Sequence, residues 1–137
     1  MELTSEDSRR VVKKLWGKED WIVNSDLYCG KILTIVPGYR SSLHYHPHKT
    51  ETFLCIVGSV CLEIYPEGVS KGVLRGDKKL LYLSSWKRSA FTLQAGVPHR
   101  FWTLTKDPAL VVEFSTHHND EDVVRLEPSG KNETQIY

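Results

Sequence analysis

A succession of short β-branched and aromatic runs, each closed by a turn signal, constrains this chain more than any other feature. Residues 27–36, 52–57, 60–65, 80–83, 89–93 and 100–104 each read as a strand, and Pro37-Gly38, Gly58-Ser59, residues 84–88 and Gln94-Ala95-Gly96 interrupt them. No segment of ordinary helix length places apolar residues at helical spacing. Strands this short bury their apolar faces by closing on one another, because an open all-β arrangement leaves edges exposed. The expected fold is therefore all-β, a closed sandwich or barrel, and 137 residues suit a single domain. Residues 10–17 read as a first strand ending at Gly17, followed by an acidic turn at Lys18-Glu19-Asp20 and a new strand from Trp21. Residues 66–79, rich in Gly and basic side chains, read as a long exposed hairpin loop, and Gly30 as a bulge or close approach. Residues 1–9 are expected to form a polar tail, 10–127 the barrel, and 128–137 a second tail.

Charge narrows the partners. With 18 Lys+Arg against 17 Asp+Glu the net charge is +1, which offers no electrostatic footprint for nucleic acid. No apolar run approaches the roughly 18–20 residues needed to span a bilayer, and the acidic start Glu2-Leu3-Thr4-Ser5-Glu6-Asp7 has no signal-peptide core, so a cytoplasmic protein is expected. The cysteines, Cys29, Cys55 and Cys61, sit inside apolar strand patterns and read as reduced packing residues, with a Cys55–Cys61 pair left open.

Function is concentrated in residues 38–58, GYRSSLHYHPHKTETFLCIVG. Side chains alternate along a strand, so His44 and His46 share one face while Leu43 and Tyr45 take the other. Pro47 breaks the pairing, and Glu51 returns at the start of the next strand. Two imidazoles and a carboxylate make half of a site for a divalent ion. Farther along, Gly96-Val97-Pro98-His99 brings another histidine just after a turn. The spelling G-x5-H-x-H-x4-E-x6-G, followed by this histidine, resembles the two motifs of the cupin superfamily, whose fold is a double-stranded β-helix or jelly-roll barrel. That resemblance implies His44, His46, Glu51 and His99 as ligands of one divalent metal ion, Mn favoured over Zn, Fe, Co or Ni. The second motif departs from the pattern at Gln94-Ala95-Gly96 and at Thr103, neither of which is a usual ligand position.

Lys49, between the second histidine and the glutamate, makes the stretch similar to the cupin sugar isomerases, the D-lyxose isomerases and the isomerase domain of type II mannose-6-phosphate isomerases. Residues 109–127, ALVVEFSTHHNDEDVVRLE, are similar to the terminal strand and acidic loop of the same groups. The resemblance implies a metal-dependent aldose–ketose isomerase for a lyxose- or mannose-like sugar or sugar phosphate. In it Lys49 and Glu113 are catalytic, Glu113 moving the C2 proton and Lys49 neutralising the developing oxyanion. Asp122, Arg125 and Arg100 are candidates for substrate binding, and Arg40, Lys49, Arg100 and the 71–79 segment for meeting a phosphate. His48 is expected on the solvent side, and His117 and His118 read as solvated loop histidines. A metal-dependent dioxygenase, with Tyr45, Phe101 and Trp102 lining an apolar pocket, and a non-catalytic sugar-binding cupin are the alternatives. A homodimer joined through the apolar N-terminal strands is also expected.

Overall fold

The computed structural model describes residues 10–132, which are strands and turns with no helix. In chain order the strands are β1 (Arg10–Lys14), β2 (Gly17–Asn24), β3 (Cys29–Ile35), β4 (Tyr39–Arg40), β5 (Leu43–Tyr45), β6 (Glu51–Val57), β7 (Ser59–Ile64) and β8 (Val69–Ser70). They continue as β9 (Val73–Leu74), β10 (Lys79–Ser84), β11 (Ala90–Leu93), β12 (His99–Thr103), β13 (Ala109–Ser115), β14 (Val124–Glu127) and β15 (Gly130–Lys131). Six form one sheet in the order β1-β2-β3-β13-β6-β11, and five form a second in the order β10-β7-β12-β5-β14. The insertion of β13 between β3 and β6, and of β12 between β7 and β5, interleaves early and late strands as a jelly roll does. Every pairing is antiparallel.

The local turn chemistry differs from expectation at the first hairpin. Lys18-Glu19-Asp20 are paired residues of β2, and the turn lies at Leu15-Trp16. Gly17 explains the shift, since its φ of +145° is disfavoured for a side-chain-bearing residue and a Cβ there would collide with the Thr34 carbonyl oxygen. The tight approach carries Trp16 into the core, its ring 4.9 Å from that of Phe101 in an edge contact. The 66–79 segment, expected as an exposed hairpin loop, carries the small antiparallel β8–β9 ribbon. Strand pairing runs past Glu127, because Gly130 and Lys131 pair with Arg40 and Tyr39. Residues 1–9 and the end of the expected C-terminal tail lie outside the described residues. All three cysteines are free and buried, so no Cys55–Cys61 bond forms.

Three strands of the larger sheet share a gradient that creates the site. The buried side of β3 reads Cys29, Lys31, Leu33, Ile35; that of β6 reads Glu51, Phe53, Cys55; that of β13 reads Ala109, Val111, Glu113. Register places Ala109 opposite Ile35, Val111 opposite Leu33, and Glu113 opposite Lys31. One end of the barrel interior is therefore apolar, filled by Leu33, Ile35, Phe53, Leu62, Phe101 and Val111 among others, and the other end is polar. No helix of the described residues is long and apolar enough to cross a membrane.

Candidate active site

A cavity of about 390 Å³ opens at the polar end. His44 comes from β5, His46 from just beyond it, and His99 from the start of β12, which pairs with β5 at His99–His44. One nitrogen from each of the three rings falls in a cluster within 4.8 Å, an arrangement that can hold a metal ion. Glu51 joins them from the first position of β6, Oε2 lying 3.3 Å from His46 Nε2 and Oε1 3.5 Å from His99 Nε2.

The far ring nitrogens are all engaged by carbonyl oxygens. Nδ1 of His44 lies 3.0 Å from Ser42 O, that of His46 2.7 Å from Asp122 O, and that of His99 2.9 Å from Val97 O. A carbonyl only accepts, so each Nδ1 carries hydrogen when the ring is neutral and each Nε2 lone pair faces the cluster. His99 Nε2 and Glu51 Oε2 are buried with no hydrogen-bond partner. Three oriented imidazoles, an orphaned nitrogen and an orphaned carboxylate oxygen fit a divalent cation.

Electrostatics divides the cluster. Burial holds His44 well below the usual histidine range, and His46 is brought down to about 4 by burial against the opposing pull of Glu51. His99 goes the other way: burial would lower it, but the Glu51 carboxylate beside it raises it above the usual value. For Glu51, burial opposes ionisation, yet the neighbouring His99 and Lys49 hold it below the ordinary carboxylate range.

Beside this cluster lies a buried charge array. Lys49 Nζ donates to Glu113 Oε2 at 3.2 Å and stands 3.7 Å from Glu51 Oε2, which places it between the two carboxylates. Burial disfavours the ammonium, but Glu113 and Glu51 raise its pKa above the ordinary lysine value. Glu113 is pushed up by burial and by Glu51, against the pull of Lys49 and Lys31. A carboxyl raised in this way lies closer to neutral pH, where a general acid or base works best.

The structure thus brings Lys49 and Glu113 to the cavity with the four ligand candidates, and Arg125 lines it as well. Arg100 is not part of it. His99 and Phe101 line the cavity, so alternation along β12 turns Arg100 to the other face of the strand, where it is buried and its guanidinium meets Glu127 at 2.8 Å. Asp122, expected to bind substrate, does not line the cavity and is hydrogen-bonded instead to the 46–49 segment. Its carboxylate accepts from the amides of His48 and Lys49 at 2.9 Å each, and its carbonyl accepts from His46. It fixes the loop that carries the site. Arg40 and the 71–79 segment lie off the cavity, as do Tyr45 and Trp102, whereas Phe101 lines it. His48 is exposed, as expected.

Sequence reasoning missed Lys31 and Glu19 and set His118 aside as solvated. Instead Nε2 of His118 donates to Asp120 at 3.0 Å, and its Nδ1 faces Lys31 and Lys49 at 3.2 and 3.1 Å. Burial and the two lysines bring its pKa down to about 4. The loop is held there by Asn24, whose amide oxygen accepts from His118 N and whose amide nitrogen donates to His118 O. For Lys31 the signal was present, since it lies in phase with Cys29, Leu33 and Ile35 on one face of a strand. For His118 there was none, because its position depends on a contact with a residue far off in sequence.

Over 127 residues the chain is 31% identical to the D-lyxose/D-mannose isomerase of Thermosediminibacter oceani, with 83% of this chain and 70% of that protein covered. It is 28% identical over 119 residues to the mannose-1-phosphate guanylyltransferase of Escherichia coli, covering 85% of this chain and 22% of the relative. Among solved structures it superposes on the capsular polysaccharide assembling protein CapF from Staphylococcus aureus with a TM-score of 0.74 and 18% identity, over 87% of this chain and 32% of that one. The chain therefore spans about a fifth of the guanylyltransferase and a third of CapF. No protein-family model matches it.

Proposed function

The chain belongs to the cupin superfamily, in the family of the D-lyxose/D-mannose isomerase, and on that premise we propose that it is a metal-dependent aldose–ketose isomerase acting on a lyxose- or mannose-like sugar, free or phosphorylated. One observation carries this reading: a buried carboxylate and ammonium in contact, Glu113 and Lys49, share a sugar-sized cavity with a three-histidine, one-glutamate cluster. Isomerisation through an enediolate uses that set. A proton must leave C2 and return to C1 of the open-chain sugar, and charge must be stabilised on the adjacent oxygens meanwhile.

A divalent ion of the manganese-to-zinc series, held by His44, His46, Glu51 and His99, would supply Lewis acidity toward those oxygens. Glu113 takes the C2 proton and returns it to C1. Its Oε2 is engaged by Lys49, so Oε1 is the oxygen presented to substrate. Lys49, poised between Glu51 and Glu113, donates to the substrate oxygen on which negative charge grows. The backbone clamp by Asp122 keeps Lys49 and His46 in register with each other. Phe53, Phe101 and Trp16 form the dry wall against which the sugar's apolar face rests.

Proton NMR in D2O tests the reading, with manganese-loaded protein and lyxose, mannose and their phosphorylated counterparts. Ketose formation with loss of the C2 proton signal is the expected result. Conversion without exchange would keep the isomerase and move the chemistry to a hydride shift. Absence of any conversion by a demonstrably metal-filled sample would overturn the proposal.

A further inference from the structure

Lys31 is the most unusual side chain in the described residues that the proposed reaction does not use. It is 2% exposed, on the inner face of β3, directly across from Glu113 of β13. Lysine is almost never buried to that degree without a partner. Its Nζ has several: Glu19 Oε1 at 3.6 Å, Glu113 Oε2 at 4.0 Å, His118 Nδ1 at 3.2 Å, and the face of Trp21, whose centroid is 4.0 Å away. Glu19 also accepts from the Trp21 indole at 2.9 Å, which fixes the ring beneath the ammonium. Every one of these partners comes from the larger sheet or from the loop that carries His118, and Lys31 lines the same cavity as the metal-ligand cluster.

Lys49 converges on the same two atoms from the opposite side, 3.2 Å from Glu113 Oε2 and 3.1 Å from His118 Nδ1. The duplication is informative. An ammonium has three N–H groups, yet a substrate oxygen on which charge grows competes with Glu113 for Lys49, and a carboxylate as buried as Glu113 then shares its cation while it acts as the base. The second ammonium is already in place at ion-pair distance. Lys31 has no such competing duty, because Glu19 and Trp21 tether it.

We propose that Lys31 is a positioning residue for the isomerisation: it holds Glu113 paired and aimed when Lys49 turns to the substrate, which divides between two lysines the tasks of carboxylate partner and oxyanion donor. The inference rests on the isomerase reading. Within that reading Lys31 acts through Glu113 and makes no contact with the reacting atoms.

The test uses K31M and K31A of the full chain, each checked for metal content and for an unchanged cooperative melt. K31M is expected to lose about tenfold or more in kcat with KM within about threefold and metal content unchanged, as befits loss of an interaction needed only as the base acts. K31A is expected to recover turnover in a saturable way when propylammonium is added, since the truncation leaves room for a free ammonium, and tetramethylammonium should not substitute. A kcat in K31M within about twofold of wild type would overturn the inference. So would a K31A defect that no amine relieves, because that is the behaviour of a merely structural lysine. If K31M does not fold, amine rescue of K31A decides alone. Wild-type protein without turnover would overturn the isomerase reading itself, and wild-type turnover with an indifferent K31M would overturn only the role of Lys31.

Discussion

The two ends of the barrel interior are built from the same strands and obey opposite rules. At the closed end, Leu33, Phe53, Leu62, Phe101 and Val111 pack as a dry core, and Phe53 and Phe101 meet edge to face at 6.2 Å. One alternation step farther along, the same inner faces carry Lys31, Glu113 and Glu51, and β12 carries His99. The closed end gains stability by removing apolar surface from water. The open end places at least four ionisable side chains where they are 5% exposed or less, which disfavours folding unless every charge is matched. The difference shows a division of labour: the core stabilises the barrel enough for the site to be held in an arrangement the chain would not otherwise choose.

Breaking the polar end should abolish function and leave the fold. His99→Ala removes the imidazole whose Nε2 is orphaned, and metal content measured by atomic emission should fall with complete loss of turnover. Glu113→Gln keeps shape and loses the base, so kcat should drop by about 10²–10⁴ with metal content unchanged. Full turnover in that variant would remove Glu113 from the reaction. Breaking the apolar end should do the reverse. Leu62→Ala, at a site 1% exposed, is expected to lose about 2–5 kcal/mol in denaturant unfolding while kcat per folded, metal-loaded molecule stays within twofold. A double change of Lys49→Met with Glu113→Leu sharpens the contrast, since it should abolish turnover and leave stability unchanged or raise it by about 1–4 kcal/mol. A large loss of stability there would mean that the buried ion pair supports the fold as well as the site.

How much of this could be read from the residues follows the same divide. The closed end was legible, because alternation and turn signals place Phe53, Cys55, Val111 and their neighbours inside without knowledge of what they touch. His44, His46, Glu51 and His99 were legible as well, since spacing along strands and a motif resemblance both point to them. Arg100 was misread although the rule that excludes it is the one that places His99 inside. The turn at Leu15-Trp16 escaped notice because Gly17 looked like the end of a strand, and only the closeness of Thr34 shows why glycine is needed there. The roles of Asp122 and His118 depend on loop contacts with the 46–49 segment and with Asn24, and no local pattern encodes such pairings.

The smallest expected effect concerns pH, and it separates ligands within the polar end. His46, with a pKa near 4, and His44, held well below its usual value by burial, are already neutral at pH 7 and have no proton to give up to a metal. His99 differs, because Glu51 raises it above the usual 6.5. Stability follows the same signs in the metal-free protein. The lowered pKa of His46 makes folding lose stability as pH falls from about 6.5 towards 4, whereas the raised pKa of His99 contributes stability below 6.5 that disappears as pH rises through its folded value. A metal must displace the His99 proton, so affinity for manganese should keep rising above pH 6.5, by up to about tenfold per unit, until His99 is neutral. Calorimetric titrations in buffers of different ionisation enthalpy should then show release of up to about one proton near pH 7. If Glu51 is the cause, Glu51→Gln should bind metal more weakly yet show a flatter pH dependence, since without the carboxylate His99 joins the other two as a neutral ring. Affinity that does not change between pH 6.5 and 8 in the unaltered protein would show that the three imidazoles are equivalent, and that the Glu51–His99 contact at 3.5 Å carries no proton of its own.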